Sequence, residues 1–254
     1  MKDTNKLTIN AYNKCAQQYI SHTPPSIDPA SHEPMLKWID AALALLPDDG
    51  KVFEIGSATP RDASYMRSKG KNVQCSDAST QFVANLREQG ENALLFDVLK
   101  DPIERGYDMI YANAVMQHFA KDDLAKIMKN IFDSLEPGKI FTFGVKRGDG
   151  TEWITEKFSE KRFIQYWQPE DIVSLVEQVG FKIMFIDGDV VGGDHVGCAH
   201  IVAAGDPSQA LTRPHRPRDR RWDRARRAVL AGVLDRSRAA VGLCLDTLGT
   251  PASL

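Results

Sequence analysis

Short apolar segments alternate with longer amphipathic segments between residues 52 and 204, and this alternation constrains the fold more than any other feature. Seven segments have the length and apolar character of strands: 52–55, 72–76, 93–96, 107–112, 139–145, 181–186 and 200–204. Four segments between them have the apolar spacing of helices: 60–69, 79–89, 121–135 and 169–179. This order predicts an α/β fold with a parallel, doubly wound sheet and helices on both faces.

The last two predicted strands are joined differently from the others. Only a glycine-rich link separates 181–186 from 200–204, which leaves no room for a crossover helix. Parallel neighbours need such a crossover, so the last strand is expected to run antiparallel. The predicted fold is therefore a Rossmann-like sheet of seven strands with the last strand antiparallel. Two further helices, 11–20 and 35–46, are predicted before the first strand.

The chain of 254 residues lacks the sequence features of membrane, secreted and disulfide-rich proteins. No apolar run reaches the length of a membrane span, and residues 1–10 are too polar for a secretory signal. The cysteines are scattered and form no CxxC pair: Cys15, Cys75, Cys198 and Cys244. This spacing indicates free thiols and no metal site. We expect a cytoplasmic protein that is either a monomer or a homodimer.

Residues 206–254 differ in composition from the rest of the chain. They contain ten arginines and five aspartates but neither lysine nor glutamate, although the whole chain carries a net charge of −2. The break predicts one domain over 1–205 and a poorly ordered, Arg-rich extension over 206–254. A basic arm that binds RNA phosphates is the alternative interpretation of the extension.

The segment Glu54-Ile55-Gly56-Ser57 leads from the first predicted strand into the next helix. In an open α/β sheet, ligands bind at the carboxyl ends of the strands, where the strand order reverses. Gly56 has no Cβ, so the backbone there can approach a ligand closely. Glu54, Gly56 and Ser57 are therefore candidate ligand-binding residues. A plain strand-to-helix turn is the alternative.

Asp77 ends the second predicted strand, 21 residues after Gly56. A carboxylate at this position, followed by Ala78, suits the ribose diol of either NAD or S-adenosylmethionine. The chain has no GxGxxG motif to hold a pyrophosphate. An acid-rich pocket also suits the sulfonium and ammonium groups of S-adenosylmethionine, so the second cofactor is favoured.

Together these segments resemble the class I S-adenosylmethionine-dependent methyltransferases over about residues 8–205. The resemblance extends to a group of uncharacterised bacterial enzymes with EIGS…GRDA-type, ANAV…HF-type and EW…RYF.YW-type segments. The matching ranges here are 54–63, 112–119 and 152–167. The family pattern places glycines near Ala58 and Pro60, and their absence predicts a tighter loop.

The resemblance implies roles for residues at other strand ends and before the sheet. Asp97 would accept the adenine amino group while the backbone N–H of Val98 reaches a ring nitrogen; a turn-capping Asp97 is the alternative. Asn113 would contact the methionine part of the cofactor. Tyr19 falls in a segment that resembles the N-terminal lid of small-molecule methyltransferases.

Residues 146–167 form an unusually long connection at the carboxyl edge of the predicted sheet, which favours a lid over a methyl acceptor. Three of its side chains are candidates for substrate binding. Arg162 suits an anionic group, and Tyr166 and Trp153 suit the walls of a pocket. A solvated Arg162, and aromatic residues that pack the insertion onto the sheet, are the alternatives.

His118 follows the fourth predicted strand and is the candidate general base. A histidine that caps the next helix is the alternative. The resemblance implies in-line displacement at the methyl carbon of S-adenosylmethionine, with a small molecule as the acceptor. Two other functions stay open: an RNA or protein methyltransferase that docks through the basic extension, and a non-catalytic cofactor-binding module.

Overall fold

The computed structural model describes residues 3–27, 32–155, 158–188 and 198–205. The strands are β1 Lys51–Ile55, β2 Asn72–Asp77, β3 Leu94–Leu95, β4 Met109–Ala112, β5 Ile140–Lys146, β6 Thr151–Ile154, β7 Arg162–Gln165, β8 Phe181–Gly188 and β9 Cys198–Gly205. Seven of them form one sheet in the order β3-β2-β1-β4-β5-β9-β8, and β6 and β7 form a separate hairpin. The first five strands pair in parallel, whereas β9 pairs antiparallel with both β5 and β8. The predicted fold class is confirmed.

The helices are α1 Thr4–His22, α2 Glu33–Leu43, α3 Arg61–Ser68, α4 Thr80–Glu88, α5 Lys121–Ser134 and α6 Pro169–Val179, with a 3₁₀ turn at Met116–His118. The first helix is longer than the 11–20 expected from apolar spacing. It begins early because the Asp3 side chain accepts a hydrogen bond from the backbone N–H of Lys6, which caps the first turn. The cap therefore adds two helical turns before the apolar pattern becomes recognisable.

Alternation along the central strands sends neighbouring side chains to opposite faces of the sheet. On one face, Trp38 of α2 is fully buried against Tyr111 and donates an indole hydrogen bond to the Thr142 hydroxyl over 2.6 Å. On the other face, Phe141 and Phe143 join the apolar cluster of α5 and α6. Both faces of the sheet are therefore covered, and its accessible side is the edge where the parallel strands end.

The connection at 146–167 is more regular than its sequence indicates. It contains the β6–β7 hairpin, in which Trp153 pairs with Phe163 and Ile154 pairs with Arg162. The hairpin packs on α1, where the Thr8 hydroxyl accepts a hydrogen bond from the backbone N–H of Phe163. The insertion is thus a structured wall beside the sheet edge.

The Arg-rich segment 206–254 lies outside the described residues, as does most of the glycine-rich link before β9. Among the helices that are described, none combines the length and apolar character needed to cross a bilayer.

Candidate functional site

A cavity of about 770 Å³ lies at the carboxyl edge of the parallel strands. Its walls come from the ends of β1, β2, β4 and β5, from one side of α1, from the 3₁₀ turn and from the β6–β7 hairpin. This volume is typical of sites that bind small molecules or cofactors. Most of the sequence-predicted site residues line it: Tyr19, Gly56, Asp77, Ala78, Asp97, Val98, Asn113, His118 and Arg162.

Two residues of the loop after β1, Gly56 and Ala58, have positive φ angles. Gly56 has a φ of +71°, and a Cβ at this position would lie 2.3 Å from a methyl carbon of Val115, so the site accepts only glycine. Ala58, where the family has a glycine, has a φ of +51°. An alanine in this left-handed region is strained by about 1 kcal/mol. In this conformation the Ala58 N–H donates a hydrogen bond to the Asp77 carboxylate at the end of β2.

Glu54 and Ser57 lie behind this loop and are outside the cavity lining. The Ser57 hydroxyl donates a 2.7 Å hydrogen bond to the Glu54 carboxylate. Burial, reinforced by the neighbouring Asp62 carboxylate, raises the pKa of Glu54. Glu54 and Ser57 therefore support the loop through their mutual hydrogen bond, from positions outside the cavity lining.

Asp77 is buried at the end of β2 and is oriented by backbone donors. One carboxylate oxygen accepts the N–H of Ala58 over 3.0 Å, and the other accepts the N–H of Ser79 over 2.8 Å. Burial raises the pKa of Asp77 to about 6, although these backbone donors favour the ionised form. Each oxygen of an ionised carboxylate has a second lone pair, so Asp77 retains acceptor capacity at the cavity.

Asp97 lies after β3 and is linked to α1. The side-chain amide of Asn5 donates to both Asp97 oxygens at 3.0 Å, and Lys100 donates to one of them over 2.8 Å. The N–H of Leu99 also bonds to this carboxylate, in the manner of a turn cap. Asp97 therefore combines the predicted position at the cavity with the alternative role of stabilising its own turn.

Asn113, after β4, is held by a buried carboxylate from α3. Asp62 accepts hydrogen bonds from the Asn113 amide at 2.9 Å and from the Tyr111 hydroxyl at 2.8 Å, and it pairs with Arg61 at 2.8 Å. The Arg61 guanidinium also lines the cavity. Within the described part of the chain, the Asn113 amide oxygen accepts no hydrogen bond, which leaves it available to a ligand.

His118 ends the 3₁₀ turn and is buried beside the cavity. Its Nδ1 is 2.7 Å from the Phe163 carbonyl oxygen, and its Nε2 is 2.9 Å from the Tyr12 hydroxyl. A carbonyl oxygen only accepts, so Nδ1 carries the proton and Nε2 accepts the hydrogen bond of Tyr12. Burial, with Arg162 and Lys146 nearby, lowers the pKa of His118 to about 4. His118 is therefore a neutral imidazole whose basic nitrogen faces Tyr12.

Arg162 begins β7 and is buried, contrary to the solvated alternative. Its guanidinium lies over the Phe158 ring at 4.7 Å and over the Tyr12 ring at 5.6 Å, and it donates to the Tyr12 hydroxyl at 3.4 Å. Tyr19 contacts the same aromatic group, with its ring centroid 5.3 Å from that of Phe158. This end of the cavity is cationic and aromatic.

Trp153 and Tyr166 are not brought to the cavity. Hairpin register places Trp153 on the face opposite Ile154, where it is 37% exposed and packs on Phe163. The Tyr166 hydroxyl donates to the exposed Glu152 carboxylate over 2.9 Å. The predicted acceptor-wall role of these two aromatic residues is therefore replaced by packing and surface contacts.

Polar and aromatic cavity residues that sequence reasoning did not name as candidates include Asn5, Tyr12, Arg61 and Lys146. Arg61 lies in the range 54–63 that resembles a family segment, so its place in the sequence could have indicated a role at the site. Asn5 and Tyr12 lie on a helix that reaches the site only through long-range packing, with Tyr12 and His118 separated by 106 residues. No local pattern indicates such a contact.

The family model for the methyltransferase domain matches residues 30–184 of this chain. No curated protein matches this chain. Among solved structures, the DhpI–SAH complex has a TM-score of 0.60 at 14% identity, covering 82% of this chain and 99% of that chain. The [4+2]-cyclase SpnF has a TM-score of 0.63 at 14% identity, covering 80% and 96%.

A third similar structure is the 1,6-didemethyltoxoflavin-N1-methyltransferase of Burkholderia thailandensis, with bound 1,6-didemethyltoxoflavin and S-adenosylhomocysteine. Its TM-score is 0.52 at 16% identity, covering 78% of this chain and 90% of that chain. These likenesses show the fold, and the family match covers more than half of the sequence. The chain belongs to the methyltransferase domain family and has the fold of its S-adenosylmethionine-dependent members.

Proposed function

We propose that this protein is an S-adenosylmethionine-dependent methyltransferase that methylates a small molecule. The observation that carries the proposal is the carboxylate of Asp77, which two backbone N–H groups orient at the cavity from the end of β2. In an open α/β sheet this is the place for a ribose diol, whose two hydroxyls donate to a carboxylate. The glycine and strained alanine of the preceding loop keep the backbone close to that place.

The adenine end of the cofactor fits beside β3. Asp97 offers an acceptor for the amino group, and the backbone N–H of Val98 is a donor for a ring nitrogen. Both Asp97 oxygens already accept hydrogen bonds, from the Asn5 amide, the Leu99 N–H and the Lys100 ammonium, so the adenine amino group would replace one of these donors.

The methionine end fits above β1 and β4. The unused amide oxygen of Asn113 suits the ammonium group, and the Arg61 guanidinium suits the carboxylate. Asp62 holds both side chains and so fixes their separation. Tyr19, half-buried on α1, lines the same cavity.

S-adenosylmethionine, when bound, supplies a methyl group that is already activated by its sulfonium. The protein then has to align the acceptor and exclude water, and to receive a proton where the acceptor has one. Because His118 Nε2 accepts from Tyr12, the Tyr12 oxygen takes the acceptor proton while its own proton passes to His118. His118 thus acts as the base through Tyr12.

The shape of the acceptor end favours a small molecule. The α1 helix and the β6–β7 hairpin close over it, with the Thr8–Phe163 hydrogen bond between them. The similar Burkholderia thailandensis enzyme is named for the methylation of 1,6-didemethyltoxoflavin, and its structure holds that compound. SpnF, in contrast, is a cyclase, so the fold alone does not fix the reaction.

The test is a screen for methyl transfer. The purified full chain is incubated with methyl-labelled S-adenosylmethionine and fractionated metabolite extracts, and labelled products are separated from the cofactor. We expect one or a few small labelled products, absent with Asp77→Ala. Tight binding of S-adenosylhomocysteine without any methyl transfer would favour a cyclase-like or binding function, and the absence of binding would refute the proposal.

A further inference from the structure

The two ends of the cavity carry opposite charge. Asp77 and Asp97 lie at the ends of β2 and β3, whereas Lys146 ends β5 and Arg162 begins β7. Adjacent strands are about 4.8 Å apart, so the three spacings from β2 through β1 and β4 to β5 separate these ends by about 14 Å. The acidic end belongs to the proposed cofactor site, and the basic end lies where an acceptor would bind.

Lys146 has a fixed place in this basic end. It is the last residue of β5, and its register partner is Cys198 of β9, which also lines the cavity. The Lys146 carbonyl accepts the N–H of Trp167, which anchors the end of the strand to the insertion. Within the described residues, no carboxylate lies within salt-bridge distance of the Lys146 ammonium.

Arg162 provides the second cation from the opposite wall. The Phe158 and Tyr12 rings pack on its guanidinium and restrict the planes in which its N–H groups donate. A guanidinium held in this way suits carboxylate and phosphate-type oxygens better than a neutral group. Both Arg162 and Lys146 are close enough to His118 to disfavour its protonation, so the three side chains share one local field.

The bound cofactor does not compensate this positive field. The sulfonium and ammonium of S-adenosylmethionine outnumber its single carboxylate, and its sulfonium would approach the basic end. A neutral or cationic acceptor would bring no negative charge to the end of the cavity that Lys146 and Arg162 line and that the sulfonium would approach. An anionic acceptor lowers the electrostatic energy of all three at once.

We propose that the acceptor carries a carboxylate or phosphonate-type anion and that Lys146 and Arg162 bind this anion from two walls of the cavity. The inference rests on the proposed function and adds to it the chemical class of the acceptor. It also gives Lys146 a binding role and places the anion over the β5 end of the sheet. The aromatic rings of Tyr12 and Phe158 then lie against the body of the acceptor.

The experiment measures the binding of simple probes by calorimetry, with and without saturating S-adenosylhomocysteine. Benzoate and phenylphosphonate represent the two anions, and benzamide and benzylamine are the neutral and cationic analogues of the same size. We expect at least one anion to bind about tenfold more tightly than benzamide. The tighter of the two anions identifies the headgroup.

Substitutions then assign the effect to the two cations. Lys146→Met and Arg162→Met should each weaken binding of the preferred anion about tenfold and leave benzamide unchanged. Lys182→Met, an exposed lysine on β8 outside the cavity, is the matched control and should bind the anion like the parent. Because Arg162 also packs on rings, Lys146→Met keeps the test valid if Arg162→Met does not fold.

Two failures are distinguishable. Equal affinity for benzoate, phenylphosphonate and benzamide, or an anion preference that survives both substitutions, would overturn the anionic acceptor while leaving cofactor binding intact. Failure of S-adenosylhomocysteine to bind would instead overturn the proposed function. The anion preference would then be read in the cofactor-free protein, where both cations still line the cavity.

Discussion

At the β1–β3 end of the cavity, the Asp77 carboxylate is fixed by backbone donors of the same sheet edge, whereas at the β5 end basic and aromatic side chains meet from distant segments. Asp77 takes its hydrogen bonds from residues 2 and 19 positions away. Tyr12 takes its contacts from His118 and Arg162, at separations of 106 and 150. The contacts of Asp77 are a property of the sheet edge, whereas the contacts of Tyr12 depend on how α1 and the hairpin dock.

This difference suits a cofactor site that is common to a family and an acceptor site that varies within it. Backbone N–H groups at strand ends hold a carboxylate regardless of what binds elsewhere, which suits a cofactor common to a whole family. Side chains on α1 and the β6–β7 hairpin can change without disturbing the sheet. The acceptor end is therefore where this chain acquires its own specificity.

Substitution of Asp77 by alanine should have the largest effect on this comparison. It removes the acceptor for the ribose diol and leaves the N–H groups of Ala58 and Ser79 without their partner. We expect affinity for S-adenosylhomocysteine to fall about a hundredfold by calorimetry. Asp133→Ala, at a surface pair with Lys129, is the matched control. Unchanged affinity in Asp77→Ala would show that the ribose lies elsewhere.

Sequence reasoning reached the β1–β3 end because each residue there follows a strand. The spacing from Gly56 to Asp77 is set by one helix and one strand, so it predicts proximity at the sheet edge. Glu54 was the exception among these acids. Side chains alternate along a strand, and the Glu54 side chain lies on the side of its register partner Cys75, bonded to Ser57 and outside the cavity lining. The place of a residue in a sequence motif does not show on which side of the sheet its side chain lies.

Tyr12→Phe should have the next largest effect and should act at the opposite end. It removes the hydroxyl between the acceptor and His118 Nε2 but keeps the ring that packs on Arg162. We expect the rate of methyl transfer to the acceptor found by screening to fall about tenfold to a hundredfold. Cofactor affinity should stay the same. Tyr65→Phe, a surface tyrosine bonded to Asp40, controls for loss of a hydroxyl.

A double variant sharpens the Tyr12 prediction. If Tyr12 and His118 form one relay, Tyr12→Phe combined with His118→Ala should be no slower than the slower single variant. Rates that multiply would mean that the two side chains act separately, with His118 reaching the acceptor by itself.

A decrease in pH should lower cofactor affinity by a smaller factor than the preceding substitutions lower affinity or rate. Burial raises the pKa of Asp77 to about 6, and only its ionised form accepts from both ribose hydroxyls. Affinity for S-adenosylhomocysteine is therefore full above this pKa and falls as pH decreases through it, to about one tenth at pH 5 relative to pH 7. His118, with a pKa of about 4, does not titrate in this range. In Asp77→Asn the affinity should be weaker and independent of pH.

The β5 end was harder to derive because its geometry comes from register and docking. Arg162 and Trp153 are nine residues apart in one insertion, and composition alone favours both as pocket residues. The hairpin register decides between them by placing Ile154 beside Arg162 and Trp153 on the other face. The sequence between Ile154 and Arg162 has no recognisable turn motif from which that register could be predicted.

The smallest expected effect tests this register directly. Trp153→Ala removes a large aromatic side chain from the hairpin surface, and Tyr166→Phe removes the hydroxyl bonded to Glu152. Neither side chain lines the cavity, so cofactor affinity, anion affinity and methyl-transfer rate should stay at the parental values. Phe158→Ala is the matched comparison, because Phe158 lines the cavity and packs on Arg162. A loss of anion binding in Trp153→Ala equal to that in Phe158→Ala would mean that the hairpin pairs in another register, with Trp153 facing the acceptor.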